Sequence, residues 1–195
     1  YNVDLPGYDH SDIPPHQYEV EDYVDAIIDV MDSAGITRTS IVASHTGAML
    51  AVVLAAAHPQ RVKQMVLDGV PYWSKEGGRT YFQQQVSLGF TDTSSYDRPV
   101  LPLTTWEEAS ANNPNLTPER WAKGEEIKRV SRYWLRLTLE SICNYDMTAI
   151  GFKVKAPSLI LHGDGEWLPF GYEEVEQGIA NTLVKVIQGS PGPVH

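Results

Sequence analysis

Cysteine is almost missing from this chain: Cys143 is the single one in 195 residues. One thiol closes no internal disulfide and supplies no metal-binding cysteine cluster, so a stapled scaffold and a zinc-ribbon site are both excluded. Basic residues are scarce as well. Fifteen Lys and Arg stand against 25 Asp and Glu, for a formal charge of −10 and a pI near 4.9. Nucleic acid needs a basic surface to meet its phosphates, and an acidic chain has no electrostatic attraction to an anionic membrane, so neither partner is expected. Long apolar runs are missing too. The most apolar stretch, 48–57, falls well short of the ~20 residues that span a bilayer. No repeat, low-complexity tract or signal peptide is visible. These absences leave a compact acidic protein, compatible with a reducing compartment and expected in the cytoplasm.

What is present alternates between two kinds of segment. The spacing of Val20, Tyr23, Val24, Ile27, Met31 and Ala34 predicts an amphipathic helix over Tyr18–Ala34, with Gly35 as its left-handed stop. Thr39, Ile41 and Val42 suit a buried strand. The composition then changes to Ala, Met and Leu, which suits a helix running from Thr46 to the His58-Pro59 break. Further strands are expected at Lys63–Leu67, Ser158–His162 and Leu183–Ile187, with a helix at Tyr172–Ala180. Strands alternating with helices imply a mostly parallel sheet with helices on both faces. Between Tyr72 and Asp146 the pattern differs: charges, Trp73, Trp106, Trp121 and Trp134, and no clear strand. Thr117-Pro118-Glu119 marks a helix start there, and Val130, Tyr133, Trp134, Leu137 and Ile142 continue it. The tryptophans are read as packing residues rather than as substrate platforms.

The junction at Ile41-Val-Ala-Ser-His45-Thr-Gly47-Ala carries the most information. A strand that turns at once into a helix crowds the backbone at the tip, and small residues two before and two after relieve it; here they are Ala43 and Gly47. That layout is a nucleophile elbow, which holds one side chain up at the mouth of a pocket. The tip residue is His45. The pattern is A-x-H-x-G where the usual one is G-x-S-x-G.

With this junction the sequence resembles the α/β-hydrolase superfamily. Asp4-Leu-Pro-Gly7-Tyr-Asp-His-Ser11 is similar to its strand-end segment D-x-P-G-x-G-x-S, with Asp9 in place of the second glycine. Arg61 to Pro71 resembles its next strand, and Ala156 to Glu166 the strand after which its acid residue sits. The resemblance implies a hydrolase core from 1–71 and 147–195, with 72–146 as a helical cap. It also implies a fold that begins before Tyr1 and continues past His195, so the chain is expected to be a fragment.

The resemblance further implies roles in chain order. His45 takes the nucleophile position, Glu166 the orienting acid in Gly163-Asp164-Gly165-Glu166, and His195 the base, with the Thr46 backbone N–H stabilising an oxyanion. Asp68, at the preceding strand end, is the rival acid. Asp164 is expected to be a solvated neighbour. His10, His16 and His58 are expected at the surface and His162 in the core. Imidazole cannot supply a serine's oxygen. It can attack a carbonyl itself, act as general base on water, or bind a ligand without covalent chemistry. The expected activity is hydrolysis of a small, fairly apolar ester-like or carbonyl substrate. The alternatives are a non-catalytic ligand-binding or regulatory protein on the same fold, and C–C bond cleavage or a lyase reaction. Nothing indicates a metal or an organic cofactor, and nothing sets an oligomeric state.

Overall fold

A computed structural model describes residues 1–87, 103–113, 115–165 and 172–189. Helix α1 (Val20–Ser33) buries the stripe Val20, Tyr23, Val24 and Met31. The Asp22 carboxylate accepts from the Glu19 N–H at 2.8 Å and closes its first turn. Gly35, at φ +69, ends it, and the Ile36 N–H reaches back to the Met31 carbonyl at 2.7 Å.

Strands β1 (Thr39–Ser44), β2 (Val62–Asp68), β3 (Ser158–Gly163) and β4 (Thr182–Ile187) form one parallel sheet in that spatial order. Parallel neighbours require crossovers. Helix α2 (His45–Ala57) makes the first and α6 (Tyr172–Gly178) the last. Both steps run the same way across the sheet, so the right-handed rule puts both helices on one face. That face carries Ala43, Leu67, Ile160 and Val184 in register, and they join the core. Every residue from Ala48 to Ala55 is buried, because α1 packs against the side of α2 turned away from the strands. A helix apolar all round can only be stable when enclosed in this way. The other face carries Val42, Val66, Leu159 and Leu183 in register, and Val42 and Leu183 remain 83% and 65% exposed.

Between β2 and β3 the described chain is helical: α3 (Lys75–Ser87), α4 (Trp106–Asn112) and α5 (Pro118–Asn144). The Thr117 hydroxyl accepts from the Arg120 N–H at 3.3 Å and Pro118 opens the helix, as its sequence predicts. Trp73 donates to the Ile142 carbonyl at 3.1 Å and stacks on Tyr81, while Trp106 and Trp121 meet edge to face. These rings pack helices together, in keeping with the expected role.

Glu125 of α5 is 2% exposed yet charged. It accepts from the Thr104 N–H (3.2 Å), the Thr104 hydroxyl (2.9 Å) and the Lys128 ammonium (2.7 Å). Burial would raise its pKa, but these bonds outweigh burial and hold it below the ordinary glutamate value. A carboxyl depressed in the folded state contributes stability above its unfolded pKa and loses it as pH falls through the folded value. Glu125→Ala is therefore expected to cost about 1–3 kcal/mol at neutral pH, by removing the acceptor of the Thr104 and Lys128 bonds. In urea titrations the gap to wild type should shrink as pH falls below the ordinary glutamate value; a gap independent of pH would remove the charge from the account.

Candidate active site

The carboxyl ends of all four strands lie along one edge of the sheet, which is where ligands bind in parallel α/β folds. Ser44 is the last residue of β1, and its register partner is Asp68, the last of β2. Ser44 is still extended, at φ −126 and ψ 151. His45 then turns to φ +45 and opens α2 directly. Left-handed backbone costs a non-glycine residue about 1–3 kcal/mol, and it persists where the surroundings over-determine it. Here the β1–β2 ladder holds the chain up to Ser44, and the buried body of α2 holds it from Ala48 onward. The residue between has little choice.

The His45 ring is half-buried, with Nε2 enclosed. A Cβ added at Gly47 would touch the Ala43 Cβ at 3.6 Å, an ordinary contact, so the two small residues face each other across the turn. The Thr46 N–H lies in the first turn of α2, where backbone N–H groups have no carbonyl within the helix and point toward an incoming anion. Asp68 is 7% exposed, with Oδ1 enclosed, beside the strand that ends at Ser44.

Glu166 and His195 lie outside the described residues. What precedes them is described. The Asp164 N–H donates to the Ile187 carbonyl at 3.1 Å, and Asp164 Oδ2 accepts from the Gly189 N–H at 2.8 Å. The expected solvated neighbour is exposed, and its carboxylate also bonds the loop after β4; sequence spacing does not show that two exit loops meet. His162 sits in β3, half-buried. His58 caps the end of α2, while His10 and His16 are exposed.

The segment before α1 keeps the backbone that its glycine pattern implies. Gly7 is at φ +85 and Asp9, where a second glycine would stand, is at φ +44. Aspartate tolerates that region better than most residues. A Cβ on Gly7 would lie 3.0 Å from the Trp134 ring, so the glycine lets this loop press against α5. A hydroxyl junction that the sequence does not reveal adds to this seam: Tyr23 and Thr138 share a 2.8 Å bond, and Thr138 also donates to the Trp134 carbonyl. One group of metal-ligand type occurs among the described residues: Asp4, Asp9 and His10 bring ligand atoms within 4.8 Å of one another. It is a surface cluster, and the Lys123 ammonium stands 3.5 Å from the Asp9 carboxylate.

A family model described as the alpha/beta hydrolase fold matches residues 1–191. This chain belongs to the alpha/beta hydrolase fold family. The expected fold class, α/β with a parallel sheet and a long helical excursion, is thereby established. Among curated proteins, the hydrolase-fold chain is 29% identical over 72 residues to epoxide hydrolase 4 of Mus musculus, across 36% of its own length and 20% of that protein's. It is 37% identical over 67 residues to 2-hydroxymuconate semialdehyde hydrolase of Pseudomonas putida, across 34% of its own length and 24% of that protein's. These matches span about a quarter or less of the relatives. A solved hydrolase from Pseudomonas aeruginosa PA01 superposes with a TM-score of 0.73 at 16% identity, over 94% of this chain and 69% of that one. The curated relatives are both named as hydrolases. No helix among the described residues is long and apolar enough to cross a membrane.

Proposed function

We propose that this alpha/beta hydrolase-fold chain hydrolyses a small, fairly apolar ester-like or carbonyl substrate, with His45 at the tip of a nucleophile elbow. The observation that carries the reading is the left-handed backbone at His45, between the end of β1 and the start of α2. A fold that holds a strained residue at the ligand-binding edge of its sheet does so for the side chain presented there.

Two routes follow for an imidazole in that place. As general base, His45 takes a proton from water while the oxygen of that water adds to the carbonyl carbon. The Thr46 N–H receives the resulting oxyanion, and collapse expels the leaving group, which takes the proton back. As nucleophile, a ring nitrogen adds to the carbonyl and expels the leaving group, and water then cleaves the acyl-imidazole. The orienting carboxylate is Glu166 or Asp68. Asp68 has in its favour its register beside Ser44 and its burial; Glu166 has its place in the family's loop. His195 is the second proton carrier. Helices α3 to α5, within 72–146, act as the cap that shapes the pocket.

A turnover screen tests this reading. Short p-nitrophenyl esters are expected to be cleaved, with a burst of one equivalent if His45 is acylated and none if it acts as base. His45→Ser is expected to gain labelling by a fluorophosphonate, because a hydroxyl would then occupy the tip. The match to a semialdehyde hydrolase favours one other reading, C–C bond hydrolysis, which mass spectrometry of products would separate. The histidine at the tip favours another, ligand binding without turnover. Ligand-dependent stabilisation with no product would establish that and end the hydrolytic reading.

A further inference from the structure

We propose that Asp164 is a positioning residue: its carboxylate staples the loop leaving β3 to the loop leaving β4. In the hydrolytic reading with Glu166 as its acid, on which the kinetic consequence rests, those loops lead to that acid and to the histidine base. β3 and β4 pair in register to their last residues, Gly163 against Ile187. The ladder then continues through one residue. Asp164 donates its N–H to the Ile187 carbonyl at 3.1 Å and accepts the Gly189 N–H on Oδ2 at 2.8 Å. It therefore grips the opposite loop at two backbone points, one on each side of Gln188.

The grip falls where packing gives little help. Gly189 is at φ +72, and a Cβ there would meet nothing within 4 Å. A carboxylate accepting a backbone N–H makes a stronger bond than a neutral acceptor, and it suits a turn that side-chain packing does not hold. From Asp164 the chain runs two residues to Glu166, and from Gly189 it runs six to His195. An acid and a base that work as a pair need their separation held closely, since a misplacement of about 1 Å costs on the order of a hundredfold in rate. The staple links the two loops that carry them.

The test compares wild type, Asp164→Ala and Asp164→Asn in amide hydrogen exchange over 187–189 and in kcat, KM and the pH–rate profile. Alanine removes the acceptor. Exchange at Gly189 should rise about tenfold or more, and kcat should fall roughly 10–100-fold with KM changed by less than about twofold. Asparagine keeps an acceptor oxygen in the same place, so it should restore protection and most of kcat with an unshifted pH profile. Asp164→Ala with unchanged exchange or unchanged kcat overturns the proposal. So does Asp164→Asn that keeps protection yet is as slow as alanine, because Asp164 would then act through its charge as an acid. A wild-type protein without turnover would sink the hydrolytic reading and the kinetic half of this one, while the exchange measurement would still decide the staple.

Discussion

His45→Gly is expected to leave this protein slightly more stable and almost inactive. The imidazole sits on left-handed backbone, φ +45, a conformation that costs a side chain about 1–3 kcal/mol and glycine almost nothing. Glycine returns part of that gain through its freer unfolded chain, so a net rise of about 0.5–1 kcal/mol is expected in urea denaturation. His45→Ala keeps a Cβ on the strained backbone and should hold wild-type stability to within about 1 kcal/mol. Both variants lose the ring. General acid–base catalysis is worth about 10²–10⁴-fold and an essential nucleophile more, so kcat/KM should fall by about 10³-fold or beyond. Stability and activity thus move in opposite directions on one substitution, which a merely structural histidine would not produce. Wild-type turnover in either variant would remove the imidazole from the chemistry, and a markedly less stable His45→Gly would show that the bend carries no strain.

Gly78→Ala is expected to damage the fold without touching the candidate site. Helix α3 crosses α5 so closely that a Cβ at 78 would lie 2.1 Å from the Cys143 carbonyl oxygen and 2.8 Å from Trp73 Nε1. Neither neighbour can yield cheaply. The carbonyl is backbone within α5, and the indole is tied to the Ile142 carbonyl. Over-packing of this kind costs about 1–3 kcal/mol, and more when backbone must move. The urea midpoint should fall with an unchanged m-value. Gly124→Ala is the control: it lies inside the same α5, with nothing within 4 Å of an added Cβ, and should stabilise by about 0.5–1 kcal/mol through helix propensity. Equal midpoints for Gly78→Ala and wild type would mean that the two helices can separate freely.

Residue order alone settled the local elements other than α3 and α4. Apolar spacing marked α1, a run of Ala, Met and Leu up to His58-Pro59 marked α2, Thr117-Pro118 marked the start of α5, and branched side chains marked the strands to within a residue or two of their ends. Those signals are local, so they survive in the sequence. The same order marked His45 as a tip residue, because a strand that becomes a helix without a linker has room for only one sharp turn. It also put an aspartate where the segment before α1 needs a glycine, and Asp9 keeps the left-handed backbone.

Contacts between distant segments were decided only by folding. The β1–β2 register brings Asp68 beside Ser44, and that offset depends on how two strands settle against the buried α2. Gly78 reads as a poor helix residue until α5 lies across it. Asp164 reads as one acid among several until the loop after β4 arrives with the Gly189 N–H. The physical reason is common to all three. Propensity and periodicity act over a few residues, whereas register, close helix crossings and loop-to-loop bonds are set by which of many compatible packings excludes the most water and leaves the fewest polar groups unpaired.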